Sequence, residues 1–261
     1  MVSNNNFSVL PFYTSQSEQA HRKPYAYGDI YPLYCAVGKL PTFQIFGAGS
    51  SVTSVAMYKA DDTFAGYISP VVDSKIVNGY NVLVHFDRTE ALYSGEGQYY
   101  LVLVSGGVPY YSDIFTAVAD VSSYLKVEWW DEEDFVMDGA VIAYDISSYY
   151  FHNVVLLNTQ LGKPEYEFEE EGEKRDGLFF PSKMISEKTY KFSFLANEPL
   201  CDVMRLARMA DHVKVTDRYG GVYVCDTFLM TPKWETQGNV ASVEVEFQTN
   251  LVAKRIGRAF T

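Results

Sequence analysis

The run Thr189-Tyr-Lys-Phe-Ser-Phe-Leu195 alternates apolar and polar residues, and the stretch from Asn197 to Asp211 that follows changes period. In the first run Tyr190, Phe192 and Phe194 share one face and Lys191 and Ser193 the other, which is the period-two pattern of a half-buried strand. In the second, Leu200, Val203, Met204, Ala207 and Ala210 recur at helical spacing. Asn197 is a capping residue and Pro199 suits a first turn, while Arg205 and Arg208 fall on the polar side. The spacing predicts a strand that runs directly into a helix near 198–211. No other stretch of the chain has so clear a helical period.

Working outward, the elements on either side read as strands. Downstream, His212–Thr216 and Val222–Phe228 form a hairpin across Asp217-Arg-Tyr-Gly-Gly221. Val240–Thr249 then alternates, with Val243, Val245 and Phe247 facing one way and Glu244, Glu246 and Gln248 the other. Upstream, Leu125–Trp130, Val141–Tyr144 and Phe151–Leu157 are strands of the same region. One helix among antiparallel strands predicts a sandwich or open barrel with a packed helix over residues 120–261. From Tyr31 to Val118 short apolar or alternating runs follow one another at Tyr31–Val37, Thr42–Phe46, Val52–Tyr58, Tyr80–Phe86, Gln98–Val104 and Tyr110–Val118. Turn residues such as Asn78-Gly79, Gly95-Glu-Gly97 and Ser105-Gly-Gly107 separate them. That spacing predicts an immunoglobulin-like or fibronectin-like sandwich over residues 28–119. Residues 1–27 form a polar N-terminal arm studded with Phe7, Leu10, Phe12 and Tyr13. A flexible tail cannot bury such side chains on its own, so the arm is expected to dock on its own body or on a neighbour. The fold class is mainly β, with two β-sandwich-like domains and one packed helix.

Composition narrows the function. The chain has 261 residues, 48% hydrophobic, with 33 acids against 21 bases and a net charge of −12. A nucleic-acid binder needs a basic face to displace phosphate counterions, so specific nucleic-acid binding is not expected. No apolar run approaches the roughly 18 residues of a membrane helix, and Met1-Val-Ser-Asn-Asn-Asn lacks the basic and apolar regions of a signal peptide. Cys35, Cys201 and Cys225 are odd in number with no paired spacing, which predicts reduced, buried thiols in a protein assembled in a cytoplasm. Charge is uneven. Residues 128–176 hold 14 acids and 3 bases, whereas residues 177–261 hold 9 acids and 11 bases. The central stretch is either a solvated acidic face or one half of a head-to-tail interface with a basic neighbour. In the second case Glu169, Glu170 and Glu171 meet Arg205, Arg208, Lys254, Arg255 and Arg258.

Local chemistry is sparse. His21, His85, His152 and His212 have no metal-ligand spacing, and neither a nucleophile elbow nor a phosphate loop is present. Gly47-Ala-Gly49 lacks the third glycine and the setting of a dinucleotide fingerprint. The clusters Asp131-Glu-Glu-Asp134 and Glu169-Glu-Glu171 supply carboxylates in number. Glycosidase chemistry needs two of them across a cleft, and a solvated acidic loop is the plainer reading. Trp129 and Trp130 face opposite sides of their strand, one toward a core and the other toward an interface or a sugar. No catalytic residue, cofactor or metal site is expected.

A resemblance supplies what local chemistry does not. The stretch from Leu161-Gly-Lys-Pro through Glu169-Glu-Glu-Gly172, Arg175-Asp-Gly177, Ser186–Phe194, Leu200–Leu206, Ala210-Asp211, Pro232-Lys-Trp234, Gln237-Gly238 and Ala241–Phe247 resembles structural proteins in the tail modules of Bacteroidota-infecting phages and prophages, crAss-like phages included. It covers roughly the last 140 residues, with weaker similarity over Gly97–Trp130. The resemblance implies a tail-tube-like second domain and a ring-forming tail, neck or collar component of the virion, assembled in the bacterial host cytoplasm. It implies self-association with six-fold or twelve-fold symmetry, contacts with neighbouring tail or portal-proximal proteins, DNA passing through the lumen, and no membrane. It carries over no catalytic residue. The alternative is a two-sandwich carbohydrate-binding adhesin using Trp129, Trp130 or Tyr149-Tyr-Phe151, and a hydrolase built on the acidic cluster is a further one.

Overall fold

A computed structural model of the chain describes residues 9–17, 31–46, 52–68, 73–77, 80–85, 91–105, 107–130, 153–234, 240–250 and 253–256. Strands β1 (Phe12–Tyr13), β2 (Tyr34–Ala36), β3 (Phe43–Phe46), β4 (Val52–Lys59), β5 (Phe64–Ile68), β6 (Asp73–Val77) and β7 (Tyr80–His85) come first. They are followed by β8 (Gly97–Ser105), β9 (Val108–Ser112), β10 (Phe115–Val118), β11 (Leu125–Trp130) and β12 (Asn153–Leu157). Then come β13 (Glu165–Arg175), β14 (Leu178–Asn197), helix α1 (Glu198–Met204), a 3-10 turn (Arg205–Met209), β15 (His212–Thr216), β16 (Val222–Trp234), β17 (Val240–Thr249) and β18 (Ala253–Ile256). The described residues are mainly β, with α1 packed among the strands. Val141–Tyr144 lies outside the described residues.

Among the described residues the strands form two sheets. The larger runs β1-β9-β8-β10-β2-β12-β11-β15-β16-β17-β14-β13, with β4 and β5 branching from β8 and β18 from β14; the smaller is β3-β7-β6. Pairing is antiparallel except between β10 and β2. The predicted run Tyr110–Val118 is two strands, because Ser112 and Asp113 break it. The Ser112 hydroxyl accepts from Leu101 N, and the Asp113 carboxylate accepts from Ile114 N. These side chains substitute for the ladder and redirect the chain.

The alternation that predicts the strands also builds the core. Tyr190, Phe192 and Phe194 of β14 and Val243, Val245 and Phe247 of β17 are all buried, and Tyr190 stacks on Phe247 with centroids 5.5 Å apart. The helical stripe Leu200, Val203, Met204 and Ala207 joins the same core. Asn197 caps α1 as predicted, its Oδ1 accepting from Leu200 N at 3.2 Å. The helix is shorter than 198–211. It tightens into the 3-10 turn at Arg205 and ends by Met209, a common ending where no glycine supplies a left-handed cap. On the N-terminal side Val55, Met57, Leu101, Leu103 and Phe115 pack with Phe43 and Ile45 of the smaller sheet. That gives the region its two-layer, sandwich-like character.

The acidic stretch departs furthest from expectation. Residues 165–175 are a strand and not a loop: β13 and β14 form a long hairpin in register from Glu165↔Thr189 to Arg175↔Leu178. Its turn is Asp176-Gly177, both with positive φ (52° and 81°), the two-residue geometry that matches strand twist and favours Asp-Gly. One extra residue on β14 makes a bulge opposite Glu171/Gly172. Glutamate is a poor strand former, and the sheet overrides that preference because the strand's glutamates remain in water.

Candidate functional site

The hairpin presents two different faces. The pairing register puts Glu165, Glu167, Glu169 and Glu171 on one side of β13, and Tyr166, Phe168, Glu170 and Lys174 on the other. The second side is the one that carries Tyr190, Phe192 and Phe194 in β14. The core face of the sheet therefore continues beyond the body as an exposed aromatic surface. Tyr166 is 57% and Phe168 65% exposed, and Phe179, paired with Lys174 on the same side, is 43% exposed. Lys188 holds its ammonium 5.8 Å from the Tyr166 ring centroid. At about 3.3 Å per residue the 11 residues of β13 span roughly 35 Å.

The acidic side is partly neutralised from within the chain. Lys191 Nζ lies 2.9 Å from Glu165 Oε2 and 3.4 Å from Glu246 Oε2. Its hydrogen bond to Glu165, reinforced by both carboxylates, raises the ammonium pKa above the ordinary lysine value. Lys183 Nζ lies 3.6 Å from Glu171 Oε1. Glu169 and Glu170 are exposed and form no ion pair among the described residues. Glu167 stands directly opposite Glu187, a like-charge pair that weakens a ladder.

The basic candidates are dispersed. Arg205 is exposed, its Nε donating to the Asp202 carbonyl at 3.2 Å. Arg208 is exposed beside a cleft of about 460 Å³ that also holds Asp211, Asp226 and Glu246, so its surroundings are acidic. Lys254 and Arg255 belong to β18, which pairs with β14 at Ile185 and Met184. They sit in the same sheet as the acidic strand. Arg258 lies outside the described residues.

Of the arm candidates, Leu10, Phe12 and Tyr13 are buried against their own chain, and Phe7 lies outside the described residues. Phe12 packs on Phe43 at 4.8 Å, β1 pairs with β9, and Leu10 N donates to the Thr42 carbonyl. Trp129 is a core residue. Trp130 is half-buried, stacked on His212 at 5.1 Å with Lys214 Nζ 5.5 Å from its centroid, so its ring is already engaged. Asp131–Asp134 and Tyr149–Phe151 lie outside the described residues. Among the described residues no group of acids, histidines and cysteines is placed to hold a metal, and no helix is long and apolar enough to cross a membrane.

Sequence reading missed a second aromatic surface. On the side of β4, β5 and β8 opposite the main core, where Tyr100 is buried with Tyr31 and Ile114, Tyr58 stacks on Tyr100 at 5.4 Å and meets Phe64 edge-on at 5.4 Å; Phe64 in turn meets Tyr67 at 5.0 Å. Phe64 is 49% and Tyr67 74% exposed. Strand β5 was hidden by its short, glycine-interrupted sequence Phe64-Ala-Gly-Tyr-Ile68. Its aromatic spacing is the only local signal of the surface. No protein-family model, curated protein or solved structure matches this chain.

Proposed function

We propose that this chain is a non-enzymatic structural subunit of a tailed-phage virion, a ring-forming tail, neck or collar component of the DNA conduit that assembles in the bacterial host cytoplasm. The observation that carries the reading is the β13–β14 hairpin. An extended hairpin with three large exposed aromatics on one face and a row of glutamates on the other is costly for an isolated monomer, and suits a partner that covers the aromatic face. Ring subunits provide such a partner at every interface, because heterologous contacts close by rotation. The acidic overall charge fits a conduit that DNA traverses without sticking.

Negative-stain electron microscopy of the purified full chain tests the reading, rings being the expected particles. Light scattering at about 0.05 M and 0.5 M salt, which spans a severalfold change in Debye length, tests the electrostatic part. Slower assembly at high salt, reproduced by changing Glu169 and Glu171 together to lysine, supports a role for the acidic face between subunits. Salt-independent assembly makes that face a solvated or lumenal wall. A chain that stays monomeric under all conditions overturns the ring.

A further inference from the structure

The two exposed aromatic surfaces lie far apart in the sheet. Strand β5 ends the branch through β4 and β8, β13 ends the opposite side, and ten strands separate them along the path. Phe64 and Tyr67 on one surface, and Tyr166, Phe168 and Phe179 on the other, remain exposed within one chain, so neither set covers the other there. Their chemistry is matched. On this side of β4, β5 and β8 Phe64 and Tyr67 are exposed, Tyr58 and Val102 are half-buried, and Tyr100 is buried with Tyr31 and Ile114, whereas the outer face of a sandwich ordinarily alternates polar residues into water. Its border is anionic: Asp62 accepts from Tyr100 Oη at 3.0 Å, with Asp61 beside it in the β4–β5 turn. The aromatic side of the hairpin carries Lys174 and Lys188 with Glu170 between them, so its charge is net positive. One surface is an extended two-stranded ridge and the other a sheet face, so the contact is heterologous and a pair of copies retains one free surface of each kind.

We propose that the aromatic side of the β13–β14 hairpin of one copy lies on the aromatic side of β4 and β5 of a second copy. Tyr166, Phe168 and Phe179 cover Tyr58, Phe64 and Tyr67, and the lysines of the ridge face Asp61 and Asp62. Tyrosine-rich patches of this kind suit interfaces whose surfaces must also survive in water before assembly. The proposal rests on the ring reading only in that the chain self-associates, and it assigns the surfaces that do so.

Two full-length variants, Phe168→Cys and Tyr67→Cys, test it by cross-linking. The native thiols do not compete, because Cys35 and Cys201 are buried and Cys225 is half-buried. Under mild oxidation the mixture is expected to form a disulfide dimer that neither variant forms alone, and a chain carrying both cysteines is expected to form a ladder of higher multimers. Independently, Tyr67→Asp should weaken association about tenfold or more, by setting a carboxylate against an aromatic ridge. The melting temperature of the monomer should be unchanged, since Tyr67 is exposed there. Association without the mixed cross-link, or a Phe168→Cys homodimer, overturns the assignment and leaves the ring reading standing. Unchanged association of Tyr67→Asp also overturns it and leaves the β4–β5 surface to another occupant, such as a glycan. Absence of any association overturns both.

Discussion

Asn197 and Asp113 are hydrogen-bonded across the molecule: Asn197 Nδ2 donates to Asp113 Oδ2 at 2.9 Å while Asn197 Oδ1 caps α1. One amide thus ties the β9–β10 connection to the start of the helix, 84 residues along the chain. Asp113 is 7% exposed, so its partner matters. Asn197→Ala removes a cap worth about 0.5–2 kcal/mol and a partner of a buried carboxylate worth about 1–3 kcal/mol. Urea unfolding should show a loss of roughly 2–4 kcal/mol. Asn197→Asp keeps the cap but sets two carboxylates face to face, so its deficit at pH 7 should shrink as pH falls toward about 4.

Met204 is fully buried in the helical stripe. Met204→Ala should cost about 2–5 kcal/mol through the cavity it leaves, and Met204→Asp should prevent folding of the β14–β17 region by burying an unpaired charge. Met209, 48% exposed at the end of the 3-10 turn, is the control. Its change to alanine should stay within about 0.5 kcal/mol of wild type. A native circular dichroism spectrum for Met204→Asp contradicts the packing described.

Burial pushes the thiols of Cys35, Cys201 and Cys225 from 9.0 up to about 12; nearby Asp202 and Glu198 add to the effect at Cys201. The thiolate is the reactive form, so none should react with a disulfide reagent at pH 8 until urea unfolds the chain. The same shifts set an alkaline limit. Between pH 9.0 and about 12 the unfolded chain releases thiol protons that the folded chain retains, so the unfolded state binds fewer protons and stability falls as pH rises. The contribution is intact below 9.0 and lost by about 12. Melting temperature measured from pH 7 to 11 should hold up to about 9 and then decline.

Glu128 is buried at the centre of β11 with Oε2 2.9 Å from Lys214 Nζ and 3.0 Å from Lys126 Nζ. Lys214→Met leaves the carboxylate with less compensation and should cost about 1–3 kcal/mol. Restoring a neutral side chain with Glu128→Gln in the same molecule should recover part of that loss, a coupling that a double-mutant cycle reads directly.

Across the hairpin, Glu187→Lys converts the opposed Glu167–Glu187 pair into an attractive one and should stabilise the protein by about 0.2–1 kcal/mol. If thermal unfolding is unmoved, the two carboxylates are already screened by water and the pair carries no strain.

The runs Thr189–Leu195 and Val240–Thr249 reveal their structure without help, because each has one face in the core and one in water, and that difference is written residue by residue as alternation. The capped stripe from Asn197 to Ala207 is legible for the same reason at the helical period. Strand β13 is not. Its hallmark, Asp176-Gly177 between two extended runs, is a hairpin signal, yet both faces of the strand are exposed, so no burial pattern marks it and its glutamates argue for a loop. The acidic stretch therefore declares its charge in the sequence and its geometry only in the sheet. The arm residues Leu10, Phe12 and Tyr13 announce that something must cover them. That the cover is Phe43 and β9 of the same chain depends on contacts dozens of residues away, which local pattern does not encode. Likewise Tyr58 reads as an ordinary strand aromatic, and Phe64 and Tyr67 belong to no legible strand, until the pairing of β4 with β5 and β8 decides which side of the sheet each occupies. Local periodicity reports burial, and therefore elements and core; which exposed faces adjoin, and what charge borders them, is set by strand order and register, which only the assembled sheet decides.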